Sequence, residues 1–289
     1  MLDVDNITVA IISGLISFFL GAAASEFVFK IFYARWLDRK ESERKIREMS
    51  FPLLRSADAL DKRIEILLKN ALSGRVDNDP DFLLNNYYLF ANFFGLCKII
   101  ENQGFFEYMT DEKARAFSIN LYNVYKGLNS FSYFEKVEDK NNFSIEKIES
   151  TTIPKLASNA IGEFMVIKEN DGRYRTLSFI EFIEKYQNND EFKKWIDYLD
   201  NLIRDLNYDK LNTQWNRIVI VAINIRKLVT YLDEKSSKTS PRRIYHYNKL
   251  HDEIAPIITE DLEKSGYKII SSKEGTYYQI NPPYPFIRD

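Results

Sequence analysis

Residues 6–25 read NITVAIISGLISFFLGAAAS, and none of these 20 residues is charged. At ~1.5 Å per residue, a helix of this length crosses the ~30 Å hydrocarbon core of a bilayer. A signal peptide begins with basic residues, whereas this run is preceded by Asp3 and Asp5 and by no Lys or Arg. The run therefore predicts a transmembrane helix rather than a cleaved leader.

Aromatic and then basic residues follow the uncharged run. The aromatic residues are Phe27, Phe29, Phe32, Tyr33 and Trp36, and the basic residues are Arg35, Arg39, Lys40, Arg44, Lys45 and Arg47. This order is typical of a helix that leaves a bilayer on its cytoplasmic side. We therefore expect a single pass, with the N-terminus outside and the chain after about residue 35 in the cytoplasm. A buried core helix is the alternative.

Small or mildly polar residues share one side of this segment on a helical wheel. They are Asn6, Ala10, Ser13, Gly14, Ser17, Gly21, Ala24 and Ser25. Such a stripe lets helices pack closely in lipid, and in a ring of helices it can line a narrow aqueous path. The stripe alone leaves both interpretations open. Glu26 lies nearly opposite it, so Ser17 and Glu26 cannot both face one pore axis, and we take the stripe as the inner face.

The composition of the chain limits its chemistry. The 289 residues contain 40 Lys and Arg against 42 Asp and Glu, so no global charge attracts nucleic acid or acidic lipid. A single cysteine cannot form an internal disulfide, which fits a reducing compartment.

The rest of the chain predicts a mainly α cytoplasmic domain with small β-hairpins. Hydrophobic periodicity predicts helices over 53–72, 82–103, 112–128, 153–160, 179–187, 191–206, 213–232 and 257–264. Pro52 is expected to end or bend the helix before it. Asp171-Gly172 and Glu274-Gly275 predict the two hairpin turns. We divide the chain into a membrane segment (1–35), a helical domain (36–233) and a basic linker with a small α/β extension (234–289).

Motifs for catalysis or cofactors are missing from the sequence. It holds no glycine-rich phosphate loop and no GxGxxG. His246 and His251 have no cysteine near them at the spacing of a zinc site, and Cys97 falls in an apolar helical pattern typical of a buried, inert thiol. We therefore expect neither a metal nor a cofactor and do not expect an enzyme, although an anchored enzyme with an unfamiliar site stays as a third alternative.

A basic and aromatic stretch covers residues 235–249, with five Lys or Arg and no acidic residue. Cations there can hold phosphates and the aromatic rings can stack on bases. The candidate oligonucleotide contacts are Lys238, Arg242, Arg243 and Tyr245. A solvated loop between helices is the plainer interpretation, because the stretch has no recognised motif.

Several ordered phrases resemble a family of bacterial single-pass membrane proteins. They are residues 51–60 (FPLLRSADAL), 89–100 (LFANFFGLCKII), 157–165 (ASNAIGEFM), 179–183 (FIEFI), 195–199 (WIDYL) and 227–233 (KLVTYLD). The likeness covers about residues 45–235, and within it the chain is similar to the membrane effector of Hailong anti-phage defence systems. No phrase is a catalytic motif, so the resemblance carries fold and order, and it assigns no site residue.

The resemblance implies a homo-oligomeric, tetrameric ion channel in the bacterial inner membrane. It also implies a partner nucleotidyltransferase, whose oligonucleotide product holds the channel closed until infection. A channel or pore-forming effector gated through its cytoplasmic helical domain is thus the leading hypothesis. The alternative is a membrane-anchored scaffold or sensor that oligomerises through its transmembrane helix without conducting.

Overall fold

The computed structural model describes residues 37, 40–75, 78–233, 238–239, 243–244, 246–271 and 278–281. These residues form a mainly helical fold, as the periodicity predicts. The predicted transmembrane helix at 6–25 lies outside the described residues. Among the residues that are described, no helix has both the length and the apolar character needed to cross a bilayer.

The chain divides into two compact units, Met1–Arg47 and Glu48–Asp289. The described part of helix α1 covers residues 40–72. It is followed by α2 (Pro80–Asn102), α3 (Asp111–Asn129), α4 (Ile145–Ser150), α5 (Lys155–Met165), α6 (Phe179–Asn188), α7 (Asp190–Ile203), α8 (Thr213–Leu232) and α9 (Ile254–Lys264). Short 3-10 turns occupy Phe105–Tyr108 and Tyr247–Lys249.

Two small antiparallel sheets accompany the helices. Strands β1 (Val166–Lys168) and β2 (Tyr174–Thr176) form a hairpin in which Ile167 pairs with Arg175. Strands β3 (Arg243–Ile244), β4 (Lys268–Ser271) and β5 (Tyr278–Asn281) form a sheet of order β3-β5-β4. The predicted pairing of both hairpins is confirmed, whereas no sequence pattern predicted β3.

Local signals located most helix ends correctly. The helix predicted at 213–232 has those bounds, and the Ser178 side chain and Glu181 form the capping box that starts α6. Of the two alternatives predicted at Pro52, an end or a bend of the helix, the end is wrong, because α1 continues through it. Proline has no backbone N–H to donate to the carbonyl one turn earlier, and Glu48 and Pro52 are both exposed, so water has access to this turn of the helix.

Two glycines allow α2 and α5 to cross closely. A Cβ on Gly162 would lie 2.8 Å from the Phe94 carbonyl oxygen, and one on Gly95 would lie 2.8 Å from the Met165 Cβ. Backbone atoms on the facing helix cannot yield as a flexible side chain does. The β1–β2 hairpin follows directly from α5, and a Cβ on Gly95 would also lie 2.8 Å from Thr176 Cγ2, so the same glycine allows the hairpin to pack closely on α2.

Helix α8 is buried along nearly its whole length and packs against α3. The helix predicted at 213–232 is thus a buried core helix. Its Arg217 is fully buried and donates to the carbonyls of Gly127 (3.2 Å), Leu128 (3.0 Å) and Ser130 (3.3 Å) at the end of α3. The same guanidinium donates to Ile148 O in α4 and lies 4.9 Å from the Phe134 ring centroid. The side chain thus caps the C-terminal ends of two helices, where a cation is favoured.

The C-terminal segment packs against the same helices. Trp215 Nε1 donates to the Lys249 carbonyl at 3.0 Å, and the His251 backbone N–H donates to Asn216 Oδ1 at 2.8 Å. Farther along, the Tyr267 hydroxyl donates to Asn120 Oδ1 of α3 at 2.9 Å. Residues 249–267 therefore cover one side of the α3–α8 pair.

Candidate functional site

The structure describes only part of the sites predicted from sequence. The stripe residues Asn6, Ala10, Ser13, Ser17, Gly21 and Ala24 lie outside the described residues, and so do Arg242 and Tyr245 of the basic stretch. Lys238 is described just after α8, and Arg243 is described as the first residue of β3. Of the candidate contacts, Lys238 is the one whose side chain the structure describes.

Asp233 ties the segment that holds Lys238 to the end of α8. The backbone N–H of Lys238 and the hydroxyl of Thr239 both donate to Asp233 Oδ2, each at 2.9 Å. Asp233 itself is the C-terminal cap residue of α8 and is 7% exposed. A buried carboxylate with two donors holds this turn in place, and Lys238 stays exposed at the surface.

Lys238 lies against an exposed aromatic ring of α1. Its Nζ is 5.1 Å from the ring centroid of Phe51, and the Arg55 guanidinium carbon is 4.9 Å from the same centroid. Phe51 is 38% exposed, although neighbouring Leu53 is fully buried. We call Phe51, Arg55 and Lys238 the cation–aromatic corner. It offers two charges for phosphate groups and a ring and a guanidinium plane on which a base can stack.

Sequence reasoning identified Lys238 but missed Phe51 and Arg55. A usable signal was present, because Phe51 and Arg55 are four residues apart and share a helix face that the buried stripe of α1 does not occupy. Their contact with Lys238 depends on how α1 packs against the end of α8. Hydrophobic periodicity does not predict such packing between distant helices.

Arg243 lies in a sheet rather than in a linker. Its Cα partner is Gln279 of β5, and both β3 and β5 contact α8. The basic stretch therefore runs from the end of α8 into the edge strand of a small sheet. Within this stretch, the side chain of Lys238 lies at the corner.

An ion pair between α1 and α8 involves the same two helices as the corner. Arg226 Nη2 of α8 pairs with Asp61 Oδ2 of α1, and the two side chains are only 4% and 6% exposed. Asp58, one turn earlier on α1, pairs with Lys62 at 2.6 Å. Because a buried charge needs a fixed partner, the Asp61–Arg226 pair holds the two helices in one relative position.

A further buried cation lies on α8. Lys227 is 1% exposed, and its Nζ lies 4.7 Å from the centroid of the Tyr267 ring. Burial lowers the pKa of Lys227 to about 8, an effect that the nearby Asp261 carboxylate opposes and the charge of Lys126 reinforces. Asp261 is already paired with Lys126, so two lysines share one carboxylate.

A polar cleft opens between α4, α7 and the start of α8. It encloses about 360 Å³ and is lined by Lys147, Arg204, Asp209, Gln214 and neighbouring residues. These side chains bond within the protein, since Arg204 Nε donates to Asp200 at 2.8 Å and Gln214 Nε2 donates to the Arg204 carbonyl at 2.7 Å. The cleft therefore offers a ligand fewer open donors than its polar lining suggests.

The remaining chemical candidates from the sequence are placed apart. Cys97 is fully buried in α2, as predicted, and burial raises the pKa of its thiol. His246 is 8% exposed, and burial lowers its pKa to about 4, so its ring is neutral near pH 7. Within the described residues, no three His, Cys, Asp or Glu side chains come together in a group able to hold a metal ion.

Comparison with known proteins adds no family to this description. No protein-family model, no curated protein and no solved structure matches the chain.

Proposed function

We propose that this chain is a membrane effector of bacterial anti-phage defence. In this proposal it forms a homo-oligomeric ion channel in the inner membrane, with one helix per subunit at 6–25, the N-terminus outside and the helical unit in the cytoplasm. The observation that carries the proposal is the uncharged run 6–25, followed by aromatic and then basic residues. Because one helix cannot enclose a pore, the proposal requires several subunits, and the resemblance favours a tetramer.

The stripe of small residues supplies the inner face of the proposed pore. Ser17 lies on this stripe, and Phe18 lies beside it on the wheel. Tight packing of the small side chains closes the path, and rotation or separation of the helices opens it. The helical unit then controls conduction by setting how the helices meet.

The cation–aromatic corner is our proposed contact for an oligonucleotide ligand. Two cations within about 5 Å of an exposed ring suit a ligand that has both phosphates and planar bases. Phe51 and Arg55 belong to the first long helix after the predicted membrane segment. A ligand that joins this helix to Lys238 can therefore act on the helix that leads towards the membrane.

Ion flux from liposomes tests the channel. We expect the reconstituted full-length protein to release ions, and we expect Ser17→Trp to abolish release because it fills the inner face. Phe18→Trp is the matched control, since it adds the same bulk beside the stripe and should keep release. Equal flux from the two variants, with both proteins inserted and oligomeric, would refute the pore assignment.

A non-conducting scaffold or sensor is the second candidate, and the same small-residue spacing favours it, because that spacing is a common cause of helix packing. A scaffold needs only an anchor, so replacing residues 6–25 by an unrelated poly-Leu span should preserve function. A channel loses function in this replacement, since leucine removes the polar face. Growth arrest in cells that express each version separates the two.

A further inference from the structure

Helix α1 continues through Pro52, although this residue weakens the turn before it. Proline has no backbone N–H to donate one turn back, towards Glu48, and its ring crowds the carbonyl there. Proline also disfavours helical backbone angles in the residue before it, which is Phe51. Phe51 is nevertheless helical. The turn 48–52 is therefore weak by its own sequence, and side-chain contacts must help to keep it helical.

Beyond Pro52, directed contacts fix α1 to two other helices. Asn92 Nδ2 of α2 donates to Ser56 Oγ at 2.9 Å. Asp61 of α1 forms its buried ion pair with Arg226 of α8. Such contacts depend steeply on geometry, so this part of α1 cannot slide or rotate without losing them. It therefore stays in place on α2 and α8.

The boundary between the two compact units falls at the start of the weak turn, between Arg47 and Glu48. Arg47, Glu48 and Phe51 are exposed, whereas Ser50 on the other side of the helix is buried. Helices curve with their exposed side convex, and sharp bends fall at prolines. Position and exposure thus both indicate the turn 48–52 as the point at which α1 can bend.

The cation–aromatic corner joins this turn to the fixed part of the fold. Phe51 lies in the turn, whereas Arg55 lies one turn later in α1 and Lys238 follows α8. The two cations lie 4.9 and 5.1 Å from the centroid of the Phe51 ring. Lys238 is itself held, because its backbone N–H donates to Asp233. A break in the helix at Phe51 moves the ring away from both cations, so the two contacts favour the continuous helix.

We infer that the turn 48–52 of α1 is a hinge with two states, and that the cation–aromatic corner holds it in the continuous state seen in the structure. In the second state Phe51 takes the extended backbone that a following proline favours, and α1 bends there. As a gate, the hinge rests on the proposed channel. The hinge itself and the effect of the corner on it do not depend on conduction and are tested without it.

Distances between spin labels on the two sides of the turn report the bend. Labels are attached at Glu41→Cys and Ile66→Cys, because both side chains are exposed, whereas the native Cys97 is fully buried. A continuous helix places these positions about 38 Å apart, and a bend of about 60° shortens the distance by about 5 Å. Full-length chains in detergent are measured by double electron–electron resonance. Labelled chains are diluted with unlabelled chains, so that each distance lies within one chain.

Weakening the corner should populate the bent state. Phe51→Leu keeps an apolar side chain but removes the ring, and we expect it to raise the share of the shorter distance about threefold or more. Arg55→Gln with Lys238→Gln should do the same by removing the cations. All three side chains are exposed, so these variants should keep the fold, which circular dichroism checks. If the folded variants show the wild-type distances, the corner does not hold the turn and the inference fails.

Pro52→Ala tests whether the bend lies at the proline. Alanine restores the backbone N–H and favours helix, so Phe51→Leu combined with Pro52→Ala should lose the shorter distance. Pro256→Ala is the matched control, because Pro256 is also exposed but lies in the first turn of α9, where a helix leaves its N–H groups without helical partners. Phe51→Leu combined with Pro256→Ala should keep the shorter distance. A shorter distance that survives Pro52→Ala would overturn the inference.

Amide hydrogen exchange gives a second measurement that needs no labels. Relative to the wild type, Phe51→Leu should speed exchange in residues 49–54, and Pro52→Ala should slow it. Exchange in residues 56–68, which α2 and α8 hold in place, should not change in either variant. An equal change in both segments would show a general loss of α1 packing in place of a hinge, and it would also refute the inference.

Discussion

Lys227→Met should stabilise the protein, although it removes a lysine that contacts an aromatic ring. Burial lowers the pKa of Lys227 from 10.5 to about 8, so keeping the amine charged inside the fold costs about 3 kcal/mol. The contact with the Tyr267 ring, 4.7 Å from Nζ, returns about 1–2 kcal/mol. Methionine keeps the length of the side chain and places a thioether near the same ring.

The expected gain is therefore about 2 kcal/mol at pH 7.5. In a unit of this size, that gain raises the melting temperature by about 4–8 °C. Chemical denaturation followed by circular dichroism measures the free energy of unfolding. Lys126→Met is the matched control, because Lys126 pairs with Asp261, and it should lower the free energy of unfolding.

The gain should also depend on pH in a definite direction. A lysine with a lowered pKa in the folded state carries its full penalty below about pH 8, and the penalty falls as the pH approaches the unfolded value of 10.5. The difference between Lys227→Met and the wild type should therefore shrink from pH 7.5 to pH 10. A difference that stays constant, or a wild type that is the more stable protein at pH 7.5, would refute this account of Lys227.

Three further perturbations follow from contacts described above. Gly162→Ala should cost about 1–3 kcal/mol, because its Cβ would lie 2.8 Å from the Phe94 carbonyl oxygen. Thermal denaturation measures this cost, and a loss below about 0.5 kcal/mol would show that α2 and α5 can separate freely. Arg217→Met should cost about 3 kcal/mol, since the carbonyls at the ends of α3 and α4 lose a buried donor. If Arg217→Met unfolds at the same urea concentration as the wild type, that result would contradict the capping role of Arg217. Arg55→Gln with Lys238→Gln should weaken binding of a fluorescent single-stranded oligonucleotide and reduce the slope of log affinity against log salt by about 1.4, whereas Lys168→Gln should change neither. An unchanged salt slope would show that the cation–aromatic corner does not contact phosphates.

Features that depend on neighbouring residues were predictable from the sequence. The helix at Thr213–Leu232, the Ser178 capping box and the hairpin at Asp171-Gly172 each follow from a local pattern. These patterns work because a cap or a turn satisfies backbone groups within a few residues.

Features that depend on distant residues were not predictable in the same way. Strand β3 has only two residues and exists because β5 pairs with it from far along the chain. In the sequence, Arg217 is only a charged residue next to an apolar run. Its role as a cap arises from carbonyls about 90 residues away along the chain. The cation–aromatic corner was predictable in part. The four-residue spacing of Phe51 and Arg55 places them on one helix face, but their contact with Lys238 arises only in the folded unit.

The packing of the C-terminal segment on α8 sets an order of events during synthesis. Helix α8 leaves the ribosome with a buried tryptophan and a buried lysine still uncovered, because their partners Lys249 and Tyr267 are not yet made. Earlier helix pairs such as α2 and α5 can assemble by then. The helical unit therefore reaches its final packing only when residues up to Tyr267 have been released, so a protein interrupted before that point exposes part of a helix that is otherwise buried along nearly its whole length.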